Sequence, residues 1–175
     1  MLQEIMAKLT LRDKLIGGGA IAFVVGWLVG VLLGNVTWKY SYLGYTGGSI
    51  SKNAFTELAG GTSIALLGLA AAIIAVVVIY LKYAPNMNIT WPAPLPVILL
   101  GLAAVAGADA LLVAVYTFQN MSLGLDSATR DALKAAGTDV PSWPIGGWIA
   151  LVGMVGGGAA MCWGAYQEWV ASKAA

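Results

Sequence analysis

The sequence predicts an all-α integral membrane protein with four transmembrane helices, and three observations carry that reading. Residues 15–34, 61–83, 95–118 and 145–166 are apolar stretches that together make up about half of the 175 residues. Hydrophobic residues are 59% of the chain and charged residues 10%, whereas a soluble domain carries about 25% charged residues. Asp109 is the one acidic residue inside any of the four stretches. A run of about 18 or more apolar residues crosses a hydrocarbon core of about 30 Å at 1.5 Å per helical residue. In lipid each backbone group must be satisfied within its own segment, so the spans are helices.

Residues 1–14 lead into the first span. Leu2, Ile5, Met6 and Leu9 recur at i, i+3, i+4 and i+7, with Gln3, Glu4 and Lys8 off that stripe, which predicts a short amphipathic helix on the membrane surface. Thr10 followed by Asp13 reads as a capping box that opens the first helix. The basic flank Lys8, Arg12 and Lys14 leads into an apolar stretch with no A-x-A cleavage site. Residues 15–34 are therefore read as a retained span and not as a signal peptide.

An outer loop of 26 residues follows at 35–60, with Trp38, Tyr40, Tyr42, Tyr45, Gly47 and Gly48. The second span, 61–83, returns to a tight inner connection at 84–94 that holds Pro85, Pro92, Pro94 and Trp91. Pro96 falls in the first turn of the third span, 95–118, where proline is tolerated. A second outer loop, 119–144, again has 26 residues. Within it residues 127–136 predict one short helix capped by Asp126 or Ser127 and stopped by Gly137. The fourth span, 145–166, ends in a tail at 167–175.

Orientation follows the excess of Lys and Arg on the cytoplasmic side. With both termini inside, the inner face holds Lys8, Arg12, Lys14, Lys82 and Lys173 against Lys39, Lys52, Arg130 and Lys134 outside. The cluster of three before the first span decides for cytoplasmic termini, since that span usually dominates topology. The expected location is multi-pass in the cell membrane, plasma or inner. Trp38, Trp143 and Trp148 mark the outer interface and Trp91 and Trp169 the inner one, with Tyr80, Tyr83, Tyr116, Phe118 and Tyr166 beside them, as expected of amphipathic rings at headgroup depth.

A repeat runs through the chain. Ile64-Ala-Leu-Leu-Gly-Leu69 recurs as Ile149-Ala-Leu-Val-Gly-Met154, 85 positions later, and a glycine pair precedes each copy, Gly60-Gly61 and Gly146-Gly147. Asn35-Val-Thr37 recurs at the same offset as Asn120-Met-Ser122. This predicts two tandem helical hairpins related by a parallel pseudo-repeat, with an axis along the membrane normal. Asp109 has no counterpart, because Val24 stands at its offset position.

Spans associate in lipid through close packing rather than hydrophobic exclusion, and small residues let backbones approach. Gly26, Gly30 and Gly34 form two successive G-x-x-x-G steps in the first span, Gly153 and Gly157 form another in the fourth, and Ala103, Ala106 or Gly107, Ala110 and Ala114 line the third. Four helices cannot turn every small stripe inward. The surplus predicts a homo-oligomer or contact with other membrane subunits.

Asp109 is the candidate intramembrane polar site. A carboxyl deep in a span costs about 2.5–3.5 kcal/mol on insertion scales and faces protein or a water-filled cavity. It lies nine residues before Phe118, roughly 13 Å from the outer end. No lysine or arginine inside another span stands at its depth to pair with it, and Trp27, Thr62 and Ser63 are its candidate hydrogen-bond donors. It can serve as an uncharged acid bridging helices or as a proton or cation site.

Histidine is absent and Cys162 is the single cysteine. This removes a His general base, a Cys/His zinc site, His-ligated haem and an intrachain disulfide. Glu57, Asp126, Asp131 and Asp139 lie among ordinary loop residues, with no nucleophile–base spacing and no phosphate-binding glycine loop. No catalytic residue, cofactor or metal site is expected. Net charge is +1 and the basic residues form no extended patch or stripe, so the electrostatic footprint of a nucleic-acid binder is missing. Lipid and other membrane subunits are the expected partners.

The layout resembles that of small four-span proteins, and animal claudins share the span count. The claudin first loop pairs its tryptophan signature with two cysteines. Residues 35–60 hold Trp38 and no cysteine, so the likeness covers layout alone. The expected function is that of a non-enzymatic structural or accessory membrane protein that self-associates or packs into a larger assembly. The alternative is a small channel or transporter subunit that uses Asp109.

Overall fold

The computed structural model describes residues 7–42, 45–53, 62–84, 89–120, 125–137, 140 and 142–174. The main elements within the described residues are α1 Leu11–Leu33, β1 Asn35–Tyr42, β2 Tyr45–Asn53, α2 Thr62–Tyr83, α3 Leu95–Asn120, α4 Ser127–Ala135 and α5 Ile145–Ala174. Four of them, α1, α2, α3 and α5, are long and apolar enough to cross a membrane. Their outward surfaces carry large apolar side chains such as Leu32, Leu111 and Val152, which are 69%, 65% and 70% exposed. Surfaces so continuously apolar belong against lipid rather than water, the pattern of a multi-pass membrane protein.

The four long helices form a ring in which α1 neighbours α2 and α5, and α3 neighbours the same two. The centre is built from Ile16, Ala20 and Phe23 of α1, Ala72 and Ala75 of α2, Leu99, Ala103 and Ala106 of α3, and Met154, Met161 and Ala165 of α5. Alanine fills much of this core, so the helices approach closely and dispersion contacts between backbones replace interlocking large side chains.

Local signals set the helix ends. Thr10 and Asp13 close a capping box at the start of α1, satisfying N–H groups that have no intrahelical partner. The carbonyls of Pro94 and Pro144 accept the first amide bonds of α3 and α5. Asp126 caps α4 by accepting from the Thr129 amide at 2.6 Å. Gly137, at φ +71°, ends that helix with its N–H on the Lys134 carbonyl, a left-handed stop that glycine makes without a Cβ penalty.

The first loop departs from the all-α expectation. β1 and β2 pair antiparallel from Asn35 opposite Asn53 to Tyr42 opposite Tyr45, with an irregularity between Lys39 and Ser41. The signal was present in the sequence, since Val36, Trp38, Tyr40 and Tyr42 alternate with Thr37, Lys39 and Ser41 at the period of a strand. Most of the proposed N-terminal amphipathic helix, including Leu2, Ile5 and Met6, lies outside the described residues. Leu9 packs against the core.

Candidate functional site

Asp109 sits in α3 at the boundary with α2 and is 4% exposed. Its carboxyl occupies the space a side chain at residue 68 would need: a Cβ on Gly68 would collide with Oδ2 and come 2.7 Å from Cγ. Neither carboxyl oxygen has a hydrogen-bond partner among the described residues. Trp27, a candidate donor, does not reach it, since the Trp27 Nε1 is likewise buried without a partner. The side chains of Thr62 and Ser63 lie outside the described residues. A neutral acid buried without a partner costs about 1–3 kcal/mol, and a charged one more.

The principal polar cluster lies elsewhere, at the end of the bundle that carries both termini. Asp13 is fully buried. Its Oδ1 takes Lys82 Nζ at 2.8 Å, and its Oδ2 takes the Tyr83 hydroxyl and the Thr10 hydroxyl, each at 2.5 Å. Lys82 also reaches Glu168 Oε1 at 3.2 Å, and Arg12 Nη1 reaches Glu168 Oε2 at 3.3 Å. Two acids and two cations thus bind α1, α2 and α5 together. Opposite charges in excellent geometry, with hydroxyls on the remaining lone pairs, are the conditions under which a buried ion pair offsets its desolvation.

Sequence reasoning recognised Asp13 only as a capping residue and Tyr83 only as an interfacial anchor. In the structure Tyr83 turns its hydroxyl onto Asp13. The signal available was depth: Arg12 and Asp13 open the first span, Lys82 closes the second and Glu168 follows the fourth, so an up-and-down bundle brings all four to one level.

The glycines divide by what they meet. A Cβ on Gly26 would stand 2.9 Å from the Gly153 Cα, and one on Gly157 would stand 2.7 Å from the Phe23 amide nitrogen. Gly19 and Gly164, which the G-x-x-x-G reading passed over, make equally close approaches between α1 and α5. Gly30 is buried and its carbonyl accepts from Asn53 Nδ2 at 3.3 Å. The nearest neighbours of a Cβ on Gly34 are the Gly30 carbonyl of its own helix and the Asn53 side chain. On α3, Gly107 faces the Cys162 thiol, which donates to the Ala103 carbonyl at 3.2 Å.

Asn53 was not singled out from the sequence. Its amide donates to the Val31 carbonyl at 3.0 Å and to Asn35 Oδ1 at 3.1 Å. It covers carbonyls at the C-terminus of α1 that the helix leaves open and pins the hairpin to the span before it.

Of the aromatic anchors, Trp38 stands opposite Ile50 in the hairpin ladder and Trp91 packs against the core. Trp143 lies over Gly147, and Trp148 is 43% exposed. Trp163, Tyr166 and Trp169 follow one another along α5 with centroid spacings of 6.2 and 6.3 Å. Among the described residues no group of three or more His, Cys, Asp or Glu could hold a metal ion.

No family model, curated protein or solved structure matches this chain.

Proposed function

We propose that the chain is a non-enzymatic structural or accessory membrane protein, with both termini cytoplasmic, that associates with itself or packs into a larger membrane assembly. The observation that carries this reading is a division among the small residues. Gly19, Gly26, Gly153 and Gly157 are consumed inside the bundle, while a Cβ on Gly18, Gly101 or Gly156 would meet nothing within 4 Å. Gly101, Ala104 and Ala108 are all exposed along α3, which leaves a helix face that a second backbone can approach. α4, which has no buried residue, offers polar contacts beyond the membrane. Cysteine cross-linking tests it: Ala104→Cys in a Cys162→Ala background forms a covalent dimer or a defined adduct in native membranes. A monomer in nanodiscs and an absence of adducts in membranes would count against assembly.

The duplication belongs to the same proposal. Gly68 and Gly153 are 85 positions apart, and each is one of the glycines closely approached by the other hairpin, Gly68 by Asp109 and Gly153 by Gly26.

Burial of Asp109 without a partner favours a second reading, a proton or cation site. Asp109→Asn keeps the shape and removes ionisation. Loss of ion or proton flux in liposomes with an unchanged fold would support that reading over the structural one, and absence of flux from the parent protein would dismiss it.

A further inference from the structure

Gly164 is level with Arg12 and Ile16, so the last turns of α5 continue past the start of α1. In the angle between them Arg12, Tyr166, Gln167, Val170, Ala171 and Ala174 line an open groove of about 660 Å³, within the range of ligand-sized pockets. One wall is apolar, the other carries a guanidinium, and the groove lies where the lipid-facing part of α5 gives way to its polar end. Trp163 and Tyr166, 57% and 49% exposed, mark the bilayer side.

Charge at this end is unbalanced. Asp13 is engaged by Lys82, and Glu168 by Lys82 and Arg12, while Lys8, Lys14 and Lys173 have no ion pair among the described residues. Lys173 instead lies over the Trp169 ring at 5.3 Å. The Arg12 bond to Glu168 uses Nη1 alone, which leaves the rest of a fork suited to phosphate oxygens.

We propose that this groove binds an anionic phospholipid, with its phosphate on Arg12 and its chains along Val170, Ala171 and Tyr166. The net positive end selects against a zwitterionic headgroup, because each basic residue near the surface contributes about 1 kcal/mol toward anionic lipid. The site does not depend on self-association and exists equally in a monomer.

Native mass spectrometry of the detergent-solubilised full chain tests it with phosphatidylglycerol and phosphatidylcholine as probes. The expected result is retention of one phosphatidylglycerol in preference to phosphatidylcholine. Arg12→Gln lowers that retention about five-fold. Because Arg12 also holds Glu168, Ala171→Trp provides the second variant: it fills the groove without touching the ion network and removes the bound lipid. Lys134→Gln, on α4 at the other end, leaves retention unchanged. Equal retention of both lipids, or undiminished phosphatidylglycerol on Ala171→Trp, overturns the proposal. Displacement by millimolar inorganic phosphate would identify a free-phosphate site and overturn the lipid assignment.

Discussion

Lys82 Nζ lies 2.8 Å from Oδ1 of Asp13, an acid with no exposed surface. The two residues are 69 positions apart and close one end of the bundle. Lys82→Met leaves the Asp13 carboxylate buried without its main cation, and breaking one side of a buried pair costs about 3 kcal/mol or more. Asp13→Asn together with Lys82→Met removes both charges and is expected to recover part of that loss. A double-mutant cycle on thermal unfolding in detergent measures the coupling, at about 1–3 kcal/mol for groups in contact. Strictly additive single effects would show that the pair does not act as a lock.

The α1–α5 contact makes a second prediction with a built-in control. Gly26→Val drives a side chain into the Gly153 backbone 2.9 Å away, whereas Gly101→Val enters open space. Overpacking of this kind costs about 1–3 kcal/mol or more. Thermal stability falls for Gly26→Val and holds for Gly101→Val, while cross-linked dimer yield falls for Gly101→Val. Equal tolerance of both would remove the close-approach argument.

Gly68 and Asp109 should show compensation. Gly68→Ala alone is destabilising, because its methyl collides with the Asp109 carboxyl. Gly68→Ala with Asp109→Ala restores the space and is expected to unfold close to the parent temperature. If the double variant is no better than Gly68→Ala alone, the two side chains do not share that volume.

The Asn53 amide, bonded to the Val31 carbonyl at 3.0 Å, predicts a local effect. Asn53→Ala leaves α1 carbonyls open and costs about 1–3 kcal/mol. It is expected to raise amide exchange across β1 and β2 while the α1–α5 contact stays protected. Faster exchange throughout the bundle would assign Asn53 a global role.

Asp126 supplies a pH dependence outside the membrane. The Thr129 amide holds its carboxyl below the usual carboxylate range. A depressed folded value means that the cap is fully stabilising above the unfolded value of about 3.9 and is lost as pH falls through the folded one. Exchange at residues 127–135 should therefore accelerate in acid, and Asp126→Ala should show the accelerated rate already at neutral pH. A rate independent of pH after correction for intrinsic exchange would reject the cap.

Helix number, class and several ends could be read from the chain by itself. The apolar runs exceed the length a bilayer requires, and Thr10 with Asp13, Asp126 with Thr129, and Gly137 act through bonds three or four residues apart. Such relations need no knowledge of where the chain goes next. The hairpin is equally local, written in the alternation from Val36 to Tyr42, although residues 35–60 as a whole read as a loop between two spans.

Tertiary structure decided which faces turn inward. A soluble helix marks its buried side with a polar stripe opposite, whereas these spans are apolar all round, so periodicity cannot separate a core position from a lipid-facing one. Only assembly shows that Gly26 meets Gly153 while Gly101 meets nothing, and that Gly68 makes room for Asp109. Asp13 illustrates both limits. Its bond to Thr10 follows from the sequence because it closes within one turn, and its bond to Lys82 exists only because the bundle returns α2 to the same depth.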